Sequence, residues 1–195
     1  MAIHTDNRTH VLTDFVTRLK EAKKETPLTV FICGPAVFNG NGKRSRRHGA
    51  RIRDFVSKKI AEGGSEVFWG EHRVFKGVGK HVTLKRFTDA DNEVHFAEKS
   101  ADLILIFPDS AGSLAELGAF SLHNGIAINM VIVFDARRRS DTGFVVKAIA
   151  RAAKTRKAQI TFQDYRRPGD VWRFVERVVS RLQTIKLTSK SYAEL

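Results

Sequence analysis

Leu103-Ile104-Leu105-Ile106-Phe107, then Pro108–Ala111, then Gly112–His123 closed by Asn124-Gly125, is the stretch on which the fold turns. Five consecutive apolar residues stopped by proline mark a strand buried on both faces, because a strand with one wet face alternates in polarity. The loop that follows carries Asp109 and Ser110; Gly112 permits a tight turn, and Ser110 or Ser113 can cap a helix. Strand, short loop and helix in that order form the repeating unit of a parallel α/β sheet.

The same grammar recurs on both sides. Upstream, Leu28–Cys33 is another short apolar run, feeding Gly34-Pro35 and a Gly/Asn-rich loop to Gly42. Ile52, Phe55, Val56 and Ile60 form a helical stripe stopped at Gly63-Gly64, and Val67-Phe68-Trp69 is a short strand. Glu71–Thr88, with two glycines and two histidines, reads as a loop or lid before a helix over Asp91–Ser100. Downstream come a strand at Asn129–Asp135, a helix at Phe144–Ala153, a strand at Gln159–Phe162 and a final amphipathic helix from Pro168; residues 8–24 predict a helix at the start. The expected fold is α/β: a single-domain, doubly wound five-stranded parallel sheet, flavodoxin- or Rossmann-like, over residues 1–187, with 188–195 as a flexible polar tail. Ligands of such sheets sit beyond the carboxyl ends of the strands where strand order reverses, which selects the loops Gly34–Gly42 and Pro108–Ser113.

A chain of 195 residues with 42% apolar content can bury a core without staples. Cys33 is its one cysteine, so an intrachain disulfide and a cysteine-rich metal site are excluded, and a reducing compartment is expected. His72, His81 and His95 lack metal-ligand spacing, and neither a metal nor an organic cofactor is expected. Met1–Asn7 is polar and the longest mostly apolar run, Ile126–Phe134, is too short to span a bilayer, which predicts a cytoplasmic protein without membrane insertion. With 34 basic and 21 acidic residues the net charge is +13, a field that favours polyanions, nucleic acid foremost, or serves solubility alone.

Asp109–Gly118 holds the candidate chemistry. Free N–H groups and the positive dipole end at the start of its helix suit a phosphate, and Glu116 lies about one turn in, where a carboxylate can face the pocket mouth among apolar groups. The alternative is a capping box in which Glu116 pairs back to Ser113. Neither a P-loop nor a Gly-x-Gly-x-x-Gly pattern is present. Lys43-Arg44-Ser45-Arg46-Arg47-His48, continuing to Arg51 and Arg53, either clamps phosphate or nucleic acid or forms a solvated helix face opposite Ile52 and Phe55. Arg173, Arg177 and Arg181 share one helical face that reads as solvated.

Asp-Leu-Ile-Leu-Ile-Phe at 102–107 followed by Asp-Ser-Ala-Gly-Ser-Leu-Ala-Glu-Leu-Gly-Ala-Phe at 109–120 resembles the nucleoside 2-deoxyribosyltransferase superfamily, and more closely the deoxyribosyltransferase-like effector proteins of bacterial retron defence systems. Phe31-Ile32-Cys33-Gly34 and the acidic helix Glu93–Ser100 extend the resemblance over roughly residues 28–135. It implies that Glu116 is the nucleophile. Free-nucleoside transferases tend to carry Asp six residues earlier; Ser110 stands there instead, as in the related nucleoside 5′-monophosphate N-glycosidases, where the serine helps hold the phosphate. A second carboxylate, the proton donor, would come from the start of the helix before the third strand: Asp91 is the best positional match, then Asp89, then Glu93. The implied activity is N-glycosidase cleavage of a nucleotide, or of NAD, with Gly34, Pro35, Ser110, Gly112, Ser113, Arg44 and Arg47 holding the substrate. The implied setting is a toxic effector in anti-phage defence, restrained by a reverse transcriptase bound to its RNA–DNA product. A homo-oligomer with shared pockets is left open, as are a non-catalytic nucleotide sensor and a nucleic-acid-binding module on the same fold.

Overall fold

Five strands pair in parallel in the computed structural model, which describes residues 17–19, 21–71 and 88–193. In chain order the elements are β1 (Thr29–Cys33), α1 (His48–Glu62), β2 (Glu66–Trp69), α2 (Asp89–Lys99), β3 (Leu103–Ile106), α3 (Ala111–Ser121), a single turn α4 (Asn124–Ala127), β4 (Met130–Asp135), α5 (Ala150–Thr155), β5 (Gln159–Gln163) and α6 (Pro168–Ala193). The sheet order is β2-β1-β3-β4-β5, so the chain winds outward on one side of β1, then crosses to the other. This is the flavodoxin-like order, with its switch point between β1 and β3.

Alternate strand residues face opposite layers, as the pleat requires. Phe31, Cys33, Ile104, Ile106, Ile132 and Phe134 face one core, against Ala97 of α2, Leu117 and Phe120 of α3 and Ala150 and Ala153 of α5. Val30, Ile32, Leu103, Leu105, Val131 and Val133 face the other, against Ile52, Val56 and Ile60 of α1 and Val171, Val175 and Val179 of α6. Because both faces are covered, the central strands are apolar throughout, which is why the run at 103–107 reads so clearly.

Several boundaries differ from expectation. The helix expected over 8–24 is described only at 17–19 and 21–24, which are helical, and most of the expected loop or lid, residues 72–87, lies outside the described residues. The helix expected over 144–153 is split into a π-helical turn, Val145–Ile149, and α5. Val145, Val146 and Ile149 all pack on the first core. Residues 188–193, read from their polarity as a tail, continue α6: Thr188 and Ser189 donate their hydroxyls back to Thr184 and Ile185 carbonyls at 3.0 and 2.9 Å, which keeps polar residues compatible with a helix. Among the described residues no helix is long and apolar enough to cross a membrane.

Candidate active site

Where strand order reverses, the segments leaving β1 and β3 part and leave a cavity of about 660 Å³ between them, a size typical of small-ligand sites. Gly34–Ala36 after β1, Gly70 and Glu71 after β2, Glu93 of α2 and Ser110–Ser113 with Glu116 of α3 form its walls, and Phe38 and Arg47 stand at its rim.

The start of α3 is built by its serines. Ser110 is the N-cap; its hydroxyl accepts from the Ser113 N–H at 3.2 Å, and the Ser113 hydroxyl accepts from the Ser110 N–H at 3.0 Å. The capping box is therefore Ser110–Ser113, and Glu116 takes no part in it, which removes the Ser113–Glu116 alternative. With Ser113 N–H engaged, the Ala111 and Gly112 N–H groups have no acceptor among the described residues, and both residues line the cavity. Asp109 is spent on the fold: its Oδ2 accepts from Gly49 N–H at 3.2 Å, tying the loop after β3 to the start of α1.

Three carboxylates meet at the floor. A Cβ placed on Gly70 would lie 3.0 Å from Glu93 Oε1 and 3.2 Å from Glu116 Oε1, so those two oxygens are within about 6 Å of each other, and only a glycine leaves the gap between them open. Beneath them Arg53, 1% exposed, donates to the Ile32, Gly34 and Pro35 carbonyls and to both carboxylate oxygens of Glu71, the latter at 2.6 Å each. Its guanidinium lies over the Trp69 ring, and Gly34 has to be small because a Cβ there would come 3.0 Å from Arg53 Cδ. Glu116 Oε2 is buried without a hydrogen-bond partner. Burial first, then the negative charge of Glu93, pushes the Glu116 carboxyl up to about 7, against the opposing pull of Arg53 and the Cys33 thiol. Burial likewise holds the Cys33 thiol well above its ordinary value.

The cavity thus brings together Gly34, Pro35, Ser110, Gly112, Ser113, Arg47 and Glu116. It does not take in Asp91 or Arg44. Asp91 is exposed and accepts from Thr88 N–H and hydroxyl, both at 2.7 Å, in the capping box that starts α2; those bonds hold its carboxyl below the usual range. Arg44 turns outward to Asp54 at 3.1 Å. Asp89 heads α2, and its side chain is outside the described residues. Glu93, ranked third from sequence, is the α2 carboxylate on the cavity. Glu71 and Gly70 were not anticipated as site residues, and Arg53, read as part of a phosphate clamp or a solvated face, is instead buried and paired with Glu71; the one available signal was an arginine interleaved with the apolar stripe of α1. Asp91→Asn is accordingly expected to lower the melting temperature slightly, because it weakens the capping box of α2, whereas Glu93→Gln, at the cavity wall, should have little effect on melting; melting curves of both variants separate the two positions.

Fold and cavity define an α/β protein with a buried-carboxylate pocket at the switch point of a flavodoxin-like sheet. A family model described as STM3845 retron effector protein matches residues 90–194, the half that supplies Glu93, β3, the serine-capped α3 and Glu116. The chain belongs to this retron effector family. It is also similar to an Escherichia coli protein described as retron Ec86 putative ribosyltransferase/DNA-binding protein, at 28% identity over 121 residues, 60% of this chain. The match spans 34% of that relative's length.

Proposed function

We propose that this protein is an N-glycosidase that cleaves the base–sugar bond of a nucleotide and serves as the toxic effector of an anti-phage retron. The observation that carries it is Glu116: a buried carboxyl with a vacant oxygen, in a cavity large enough for a nucleotide, beside a second carboxylate and at a helix start with two unengaged N–H groups.

Each part has a role in such chemistry. Departure of a base leaves positive charge at the anomeric carbon, which an ionised Glu116 stabilises or captures as an ester. Glu93, in the position we assign to the acid, delivers to the leaving base the proton that the two adjacent carboxyls share when Glu116 is ionised. The Ala111 and Gly112 N–H groups and the Ser110 and Ser113 hydroxyls receive a phosphate, with Arg47 at the rim. Arg53 fixes the loop after β1 and holds Glu71 by a two-pronged pair. Water releasing the ester makes a hydrolase and another acceptor makes a transferase; the name of the E. coli relative supports the same bond-breaking step in either case. Membership of a retron effector family supports restraint by a reverse transcriptase and its RNA–DNA product.

The pH dependence follows from Glu116. Attack needs the ionised carboxylate, so cleavage should rise between about pH 6 and 8, with a midpoint near 7. Stability runs the other way. A carboxyl raised from 4.5 to about 7 on folding contributes its full stability below the unfolded value and loses it as pH rises through 7, about 3 kcal/mol in all. Urea midpoints between pH 4.5 and 8 read this directly, and a flat profile contradicts it. The activity itself is tested by incubating the protein with nucleoside mono-, di- and triphosphates and NAD and separating the products by chromatography. Free base supports the proposal; intact nucleotides throughout refute it.

A further inference from the structure

Beyond the rim of the carboxylate cavity the surface opens into a second hollow, lined by Asn39, Lys43, Arg44, Ser45, Arg46 and Arg47. Asn39, Ser45 and Arg47 line both, so the two form one continuous trough. The hollow contains four cationic side chains and no aromatic or aliphatic one. Arg44 is paired with Asp54, but Lys43, Arg46 and Arg47 have no carboxylate partner among the described residues. Nor is the segment a slack loop. Phe38 and Arg44 form an antiparallel bridge, Asn39 N–H donates to the Lys43 carbonyl at 2.8 Å, and Ser45 N–H donates to the Val37 carbonyl at 2.8 Å. The Asn39 side chain accepts from Asn41 and Lys43 N–H groups, and Gly42, at φ +70, supplies the left-handed turn. The result is a small hairpin that holds unpaired cations beside the site, an arrangement the sheet does not need for its own packing.

Resting on the nucleotide reading above, we propose that this hairpin is a polyphosphate subsite, and that the cavity prefers a nucleotide bearing a chain of phosphates over a monophosphate. A first phosphate at the start of α3 leaves further phosphates to run past Arg47 into the hollow, where Lys43 and Arg46 meet them. Phosphates of a nucleic acid offer the same chemistry from another source, so the test separates the two.

Binding is measured first, independently of base and of catalysis: wild-type protein at 0.15 M salt is titrated with inorganic triphosphate and with inorganic phosphate. Triphosphate is expected to bind about thirtyfold more tightly or better, and Lys43→Ala/Arg46→Ala to cut that ratio at least about tenfold. Arg177→Ala/Arg181→Ala, which removes the same charge from the face of α6, should leave the ratio as it was. In a second arm, base release from matched mono- and triphosphates should favour the triphosphate and lose that preference in the hairpin variant. Equal binding of the two anions, an equal loss in the α6 variant, or displacement of triphosphate by a single-stranded oligonucleotide at far lower concentration than by any nucleotide would overturn the subsite. If triphosphate binding behaves as expected but no nucleotide releases base, the cleavage reading fails and the subsite stands.

Discussion

Glu116→Gln should lower base release by about a thousandfold or more, because a neutral amide can neither capture nor stabilise a cationic anomeric carbon. The same substitution should not weaken the fold. Above pH 7 the native protein carries an ionised carboxylate in a buried position with one oxygen unbonded, and that charge opposes folding. Removing it offsets up to about 3 kcal/mol at pH 8, so the variant should melt at or above the wild-type temperature there, with the difference vanishing near pH 4.5. Activity lost together with stability would mark Glu116 as a packing residue; activity lost while stability holds or rises is the signature of a site residue that strains its fold.

Arg53→Met should do the reverse and cost stability heavily. The guanidinium is almost wholly enclosed and donates to three backbone carbonyls of the segment that ends β1 as well as to Glu71. Glu71 is 43% exposed, so much of the loss comes from carbonyls left without a donor rather than from the ion pair. A loss of about 3 kcal/mol in urea unfolding is expected. Arg53→Lys should recover little of it, since a single ammonium cannot replace a fork that reaches five acceptors. The cation also opposes the upward shift of Glu116, so any residual cleavage in Arg53→Met should have its pH midpoint moved above 7. Unfolding within 1 kcal/mol of wild type would show that Arg53 does not support the cavity floor.

How much of this was legible before the structure depends on the length scale of the signal. The central strands were, because burial on both faces writes apolar runs at Val30–Cys33, Leu103–Phe107 and Met130–Phe134 that no other element of that length produces. The cavity's position followed from topology; spacing alone left Glu116 open as a capping residue, and its reading as a nucleophile came from the family resemblance. The partner carboxylate was not legible, for a physical reason: Asp89, Asp91 and Glu93 all suit a helix start, and only the phase of α2 decides among them. Asp91 falls at the third helical position and closes a box with Thr88, while Glu93, about 200° further round the helix, meets the cavity. Arg53 was hidden the same way, among arginines whose neighbours Arg44, Arg47 and Arg51 are exposed while it alone turns inward. The hairpin at 37–45 escaped because its ordering comes from a side chain, Asn39, bonding the backbone on either side of a turn, which composition reports only as a Gly/Asn-rich loop.

One measurement bears most directly on the role given to Glu116: the rate of free-base release from the preferred nucleotide, followed by chromatography across pH 5.5 to 8.5 for wild type and Glu116→Gln side by side. A wild-type rate that climbs through a midpoint near 7, with no comparable rate in the variant at any pH, is the predicted result. A variant that releases base as fast as wild type, or a wild type that releases none, would contradict it.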